Sequence, residues 1–140
     1  MARKQIKLFT IAEANAMLPL LRSILRDITD LAKRLREQHE VLVQLQSGGA
    51  LDAVDQEEVD RLVEMMERGQ EQMQEYEVEI RKLGVEIKDY FTGLCDFPSM
   101  MEGRVVYLCW RMGEKEVAHW HELDAGFAGR QKLSPETANA

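Results

Sequence analysis

The sequence predicts a mainly α protein: a long antiparallel helical hairpin with a coiled-coil-like seam, capped by a small C-terminal β-hairpin of two strands. Three observations carry this expectation. Two runs of apolar residues repeat at alternating spacings of three and four. A Ser-Gly-Gly stretch at 47–49 separates them, and the character of the chain changes at Thr92 into a Gly- and Pro-punctuated, then β-branched and aromatic, segment.

The first helix is expected over residues 10–46. Thr10-Ile11-Ala12-Glu13 fits a capping box, in which the Thr10 hydroxyl accepts from the Glu13 amide while the Glu13 carboxylate reaches back. Pro19 lacks the amide donor and crowds the preceding turn, so a break or kink is expected near it. Beyond it Leu21, Ile24, Ile28, Leu31, Leu35, Gln38, Leu42 and Leu45 form a narrow apolar seam.

A second helix is expected over residues 52–91, capped by Asp52 or Asp55. Val59, Leu62, Met66, Gly69, Met73, Tyr76, Ile80, Leu83 and Ile87 hold the same spacing. Gly69 marks a thin spot or a close helix approach. Residues 1–46 hold eight Lys/Arg against five Asp/Glu, and residues 55–89 five against twelve. That imbalance predicts two helical arms lying against each other, with pairs that set register more than stability, each worth only about 0–1 kcal/mol. A lone hairpin buries little, so homo-oligomerisation through the helices, as a homodimer, is expected. Met65, Met66, Met73, Met100 and Met101 supply adaptable apolar surface or core filler.

The C-terminal third reads as a β-hairpin over residues 104–123. Arg104-Val105-Val106-Tyr107-Leu108-Cys109-Trp110-Arg111 is the first strand, Met112-Gly113-Glu114 the turn, and Lys115 to about Leu123 the return. With Gly113 first of two central residues, a type II′ turn fits. Residues 124–133 form a Gly-containing loop, closing a single domain over residues 1–133, and residues 134–140 read as a flexible tail.

Composition excludes several function classes. The net charge of −7 argues against a general nucleic-acid binder. No stretch approaches the ~20 apolar residues of a membrane span. The basic N-terminus is interrupted by polar residues before any signal-peptide core forms, so the cytoplasm is the expected location. Cys95 and Cys109 lack a CxxC partner and read as free thiols. No GxSxG elbow, HExxH motif or nucleotide-binding glycine loop is present.

The stretch VAHWHELD, residues 117–124, concentrates the chemistry. On a strand, His119 and His121 point the same way, with Val117 and Leu123. A two-residue turn puts Val106, Leu108 and Trp110 on the histidine face and Tyr107, Cys109, Arg111, Trp120 and Glu122 on the other; a three-residue turn swaps the relation. Two same-face histidines can supply two nitrogens to a divalent transition metal, with Zn, Ni, Cu or Fe compatible. The metal candidates are therefore His119, His121, Glu122 and Asp124, with Asp96 and Cys95 arriving from loops. The competing reading is a histidine pair hydrogen-bonded to loop carboxylates or solvent. A third is a polar-ligand or anion pocket using Arg104, Arg111 and Arg130 beside the flexible residues 126–130; against it stands ion pairing of each arginine with Glu102, Glu114 or Glu116. His121-Glu122 could also serve general acid–base work.

The order of these pieces resembles an uncharacterised prokaryotic family, the domain of unknown function 2203 family, from Phe9-Thr10 to about Leu133. The resemblance rests on Glu13-Ala14-Asn15 with Leu18-Pro19, on Gly93-Leu94 with Asp96-Phe97-Pro98, and on a C-terminal block. That block is Gly103-Arg104, Tyr107-Leu108-Cys109-Trp110-Arg111, Gly113-Glu114, Trp120-His121-Glu122, Gly126-Phe127 and Gly129-Arg130. It implies a bacterial or archaeal soluble protein in which helices and β-hairpin belong together, and it carries no activity. The pattern centres on Trp120-His121-Glu122 rather than on His119, which moves weight to His121, Glu122, Asp96 and the arginines. Two functions follow as expectations: an oligomerising helical module that is structural or partner-binding, or a small-ligand or metal-binding protein, an enzyme in one version, with its site around His121-Glu122 and Asp96, Arg104, Arg111, Trp120 and Arg130 as ligand-binding candidates.

Overall fold

The structure, a computed structural model, describes residues 6–134. Residues 135–140 of the expected flexible tail lie outside the described residues. Helix α1 runs Ile11–Gln46 and α2 runs Ala53–Lys82. The Thr10–Glu13 capping box forms in both directions at 3.0 Å, and the Asp52 carboxylate caps α2 through the Asp55 amide. Pro19 lies inside α1 without interrupting it. Its ring is exposed, while the flanking Leu18 and Leu21 are buried, and their packing outweighs the missing hydrogen bond.

Beyond α2 the expected architecture is corrected. Five antiparallel strands form one sheet in the order β1-β2-β3-β4-β5: Glu86–Asp89, Leu94–Met101, Arg104–Arg111, His119–His121 and Gln131–Lys132. The fold is α+β, not a helical hairpin with a two-stranded cap. Leu83 and Ile87 continue the helical spacing in sequence, but Gly84 ends the helix. It adopts φ +84°, and a Cβ there would stand 3.1 Å from Cβ of Lys7, so the position needs glycine on both counts.

Strand β2, Leu-Cys-Asp-Phe-Pro-Ser-Met-Met, was hidden by its Asp and Pro. Met101 and Arg104 close a two-residue turn in which Glu102 and Gly103 both have positive φ, 50° and 78°, as a type I′ turn requires. Counting back from that closing pair, Pro98 falls in a non-hydrogen-bonded position opposite Tyr107, so its nitrogen points away from β3 and no ladder bond is lost. On that outer side the chain segment before α1 docks instead. The Phe9 amide donates to the Pro98 carbonyl at 2.7 Å, and the Ser99 hydroxyl donates to the Phe9 carbonyl at 2.6 Å.

The return strand is shorter than expected and its turn differs. The Glu114 amide donates to the Arg111 carbonyl, which puts Gly113, at φ +105°, second of the two central residues rather than first; the type II′ assignment fails. Residues 112–118 form a loop pinned to α1, where Asn15 Oδ1 accepts from the Val117 amide at 2.7 Å and the Arg22 guanidinium donates to the Lys115 carbonyl at 2.7 Å. Trp110, fully buried, donates its indole N–H to the Glu114 carbonyl.

The helices cover one face of the sheet. Leu18, Leu21, Leu25 and Ile28 of α1 and Ile80 of α2 pack with Cys95, Phe97, Leu108 and Trp110. Burying such a side chain contributes about 1.5–3 kcal/mol. Farther out, Leu35, Gln38, Leu42 and Leu45 are only half-buried, because two helices without the sheet cannot enclose their own seam. No α1–α2 salt bridge occurs among the described residues, so the charge imbalance between the arms does not express itself as paired side chains. Among the described residues no helix is long and apolar enough to cross a membrane.

Candidate functional site

Register decides what the sheet's outer face carries. Asp96 pairs with Cys109 and Cys109 with His119; Pro98 pairs with Tyr107 and Tyr107 with His121. Directly opposed residues share a face, so Asp96, Cys109, His119, Tyr107 and His121 all project away from the helices. The histidines therefore share their face with Tyr107 and Cys109 and oppose Leu108 and Trp110, the reverse of the two-residue-turn expectation. Cys95 faces the core.

Within this face Asp96 and His121 are 1% and 2% exposed. His121 Nε2 lies 2.9 Å from Asp96 Oδ2, and Nδ1 lies 2.7 Å from the backbone carbonyl of Glu122. A carbonyl can only accept, so Nδ1 holds the proton and donates it. The Nε2–Oδ2 contact then needs one further proton, whichever partner owns it. Asp96 Oδ1 is buried and has no hydrogen-bond partner. Burial pushes the Asp96 carboxyl above its ordinary range, and the His121 hydrogen bond opposes only part of that rise.

Cys109 completes the cluster: one ligand atom from each of Asp96, Cys109 and His121 lies within 4.8 Å of the others, the only such group of three among the described residues. Burial, followed by the charge of Asp96, raises the Cys109 thiol to about 11. Both ring nitrogens of His121 are already engaged, so His121 does not act as a base toward that thiol.

A second polar group lies beside the first. Glu114 accepts from the Arg130 guanidinium, and from the Arg111 amide at 2.7 Å. His119 Nδ1 stands 3.8 Å from Glu114 Oε2, beyond hydrogen-bonding distance. Burial, then Arg130, lowers the His119 pKa. The guanidinium groups of Arg111 and Arg130 lie 5.4 and 5.2 Å from the Phe127 ring centroid.

The candidates named from sequence thus separate. His121 and Asp96 meet. His119 does not pair with them: it lies opposite Cys109, its Nδ1 unpartnered and 3.8 Å from Glu114 Oε2. Glu122 contributes its backbone carbonyl to His121, while its carboxylate is held by Arg104 at 2.5 Å. Arg104 also pairs with Glu102 and lies over the Trp120 ring, whose partner Leu108 marks it as facing the core side. Asp124 is exposed and reaches the rim of the site. Cys109 was missed as a site residue. Its signal was the alternation of Tyr107 and Cys109 with Leu108 and Trp110, which became readable only with the register of β4.

The cluster opens on a cavity of about 370 Å³ lined by Lys88, Leu94, Asp96, Tyr107, His121, Leu123, Asp124, Gly126 and Phe127. Leu123, Asp124, Gly126 and Phe127 supply one side of it from the segment after β4, and the Tyr107 and His121 rings stand 5.4 Å apart. The arrangement offers a buried carboxylate–imidazole pair, a phenol and an ammonium group against an apolar wall.

No curated protein and no solved structure matches the chain. One family does, over residues 7–133: the one described as "Uncharacterized conserved protein (DUF2203)".

Proposed function

The chain belongs to the DUF2203 family, and from its site we propose that it binds a small polar ligand on the outer face of the sheet. One observation carries the reading: a buried Asp96–His121 pair, with an unpartnered carboxylate oxygen, lines a loop-walled cavity of about 370 Å³. Small-ligand sites have this composition, a mostly apolar wall with a few convergent polar groups. Leu94, Leu123 and Phe127 supply the wall; Asp96, His121, Tyr107 and Lys88 supply the polar groups.

Methyl NMR of chelator-treated protein, titrated with small carboxylic acids, amides and alcohols, tests it. Perturbations confined to Leu94 and Leu123, and abolished by Leu123→Trp, which fills the cavity, are expected. Scattered or absent perturbations contradict the reading.

A second reading, an oligomerising helical module, is supported by a different surface. A groove of about 440 Å³ between the helices is lined by Leu35, Met66, Met73, Tyr90 and Phe91, all incompletely buried. A second copy of the chain would cover it. Sedimentation over a concentration series should show dimers that Met66→Glu dissociates; a monomer at every concentration removes this reading.

A further inference from the structure

We propose that Asp96, Cys109 and His121 form a binding site for a divalent transition-metal ion, zinc above all, with its fourth coordination position open to the cavity. The proposal rests on the ligand-pocket reading for that open position and names the ion that would hold the ligand there.

His121 Nδ1 donates to the Glu122 carbonyl, which leaves the Nε2 lone pair aimed at Asp96 Oδ2 across 2.9 Å. Two acceptors that face each other inside a protein need a cation between them, a proton or a metal ion. Metal-bound histidines characteristically donate their other ring nitrogen to a backbone carbonyl or carboxylate, which fixes the tautomer and the ring plane. His121 is already held this way. Asp96 Oδ1, buried and without a partner, supplies further unused acceptor capacity at the same point.

Donor chemistry narrows the ion. A carboxylate oxygen, an imidazole nitrogen and a sulfur within 4.8 Å of one another make a mixed O, N, S set. Such a set favours zinc, iron or cobalt over magnesium or calcium, which take oxygen ligands. A tetrahedral ion at ~2.0–2.3 Å from each donor needs donor separations of about 3.3–3.8 Å. Loading the ion therefore requires the Asp96–His121 contact to lengthen from 2.9 Å and the more distant donors, within 4.8 Å here, to draw in.

Charge balances as well. Without an ion the Asp96–His121 pair shares one proton and Cys109 holds another, so the buried group is neutral overall. An incoming divalent ion displaces both protons, the thiol becomes a thiolate, and the group stays neutral. Three protein ligands plus an open position is the arrangement of zinc sites that bind water or a substrate. The ligand set departs from the His119–His121 pair expected from sequence, because β4 places His119 opposite Cys109 and beside Glu114 rather than at the cluster.

Cobalt(II) titration of the chelator-treated full chain tests the site, since a cobalt–thiolate bond gives an intense charge-transfer absorption. One equivalent should saturate that band, and zinc should displace it. Cys109→Ser should abolish the band while Cys95→Ser keeps it, and His121→Ala should weaken binding at least 100-fold. Far-UV circular dichroism verifies that each variant is folded; if His121→Ala is not, the two cysteine variants decide. Absence of the band in the native chain, or its persistence in Cys109→Ser, overturns the proposal. A failed cobalt titration with localised methyl perturbations at Leu94 and Leu123 would sink the metal site and leave the ligand pocket standing.

Discussion

Removing one member of the buried pair should have very different consequences depending on which member goes. In His121→Ala, Asp96 keeps its place in the middle of the sheet, 1% exposed, and loses its ion-pair and hydrogen-bond partner at Oδ2, leaving the Cys109 thiol beside it. An uncompensated buried charge left this way costs about 3–5 kcal/mol. In Asp96→Asn the shape is kept and the new amide can donate to Nε2, whose partner nitrogen still donates to the Glu122 carbonyl. A neutral hydrogen bond replaces a charge-assisted one, for a loss of about 1 kcal/mol. In the Asp96→Asn background, deleting His121 strands only a neutral amide, about 1–3 kcal/mol, so the cycle should show a coupling of about 2 kcal/mol. Urea unfolding of the metal-free protein, followed by far-UV circular dichroism, reads all four species. If Asp96→Asn is as damaging as His121→Ala, stranding of the buried carboxylate is not what His121 prevents.

Three further outcomes derive from the fold. Glu102 holds φ 50° ahead of Gly103, and Glu102→Asn, which restores the Asn-Gly pair that type I′ turns prefer, should stabilise by about 0.5–1 kcal/mol in thermal unfolding; no gain would argue against that turn. Asn15→Ala takes the acceptor from the Val117 amide and should cost about 1–3 kcal/mol, by loosening residues 112–118; hydrogen exchange at Val117 should rise, and unchanged protection contradicts the contact. Burial acts to raise the Glu114 carboxyl, but the hydrogen bonds from Arg130 and the Arg111 amide outweigh it and hold it below its ordinary 4.5. A lowered carboxyl stabilises the fold above its unfolded value and loses that contribution as pH falls through its folded value. Glu114→Gln should therefore flatten the loss of stability below about pH 4.5, and an unchanged acid limb in urea midpoints would count against the pairing.

The legible parts of this fold are those written in local periodicity. The α1 and α2 seams repeat every three to four residues over many turns, and no other structure satisfies Leu21 through Leu45 so well. The error at the end of α2 came from the same rule: Leu83 and Ile87 suit a helix, yet Gly84 and the alternation of Val85 with Ile87 suit a strand. Strand β2 was illegible because its features have tertiary causes. Asp96 is tolerated there because His121 lies across two strands, and Pro98 because its nitrogen faces an edge covered by Phe9.

For the site, sequence located the neighbourhood and misassigned the partners. Trp120-His121-Glu122 was the right place to look, but a seven-residue connection at 112–118, not a tight turn, sets the register of β4. That register brings Cys109 to the histidine face and gives His119 to Glu114. Nothing local to the sequence encodes it, since it depends on Asn15 and Arg22 holding the connection from α1. Glu122 likewise acts through its carbonyl, which every residue has, rather than through the carboxylate that drew attention to it.

Anomalous diffraction at the zinc edge, from crystals of the zinc-loaded full chain, would locate the ion itself. The account predicts one peak per chain bounded by Asp96, Cys109 Sγ at about 2.3 Å and His121 Nε2 at about 2.0–2.1 Å. The Glu122 carbonyl should still hold Nδ1, and the open side of the ion should face Tyr107 and Phe127. A peak at His119 and Glu114 instead, or none at the cluster in crystals that hold zinc elsewhere, would contradict it.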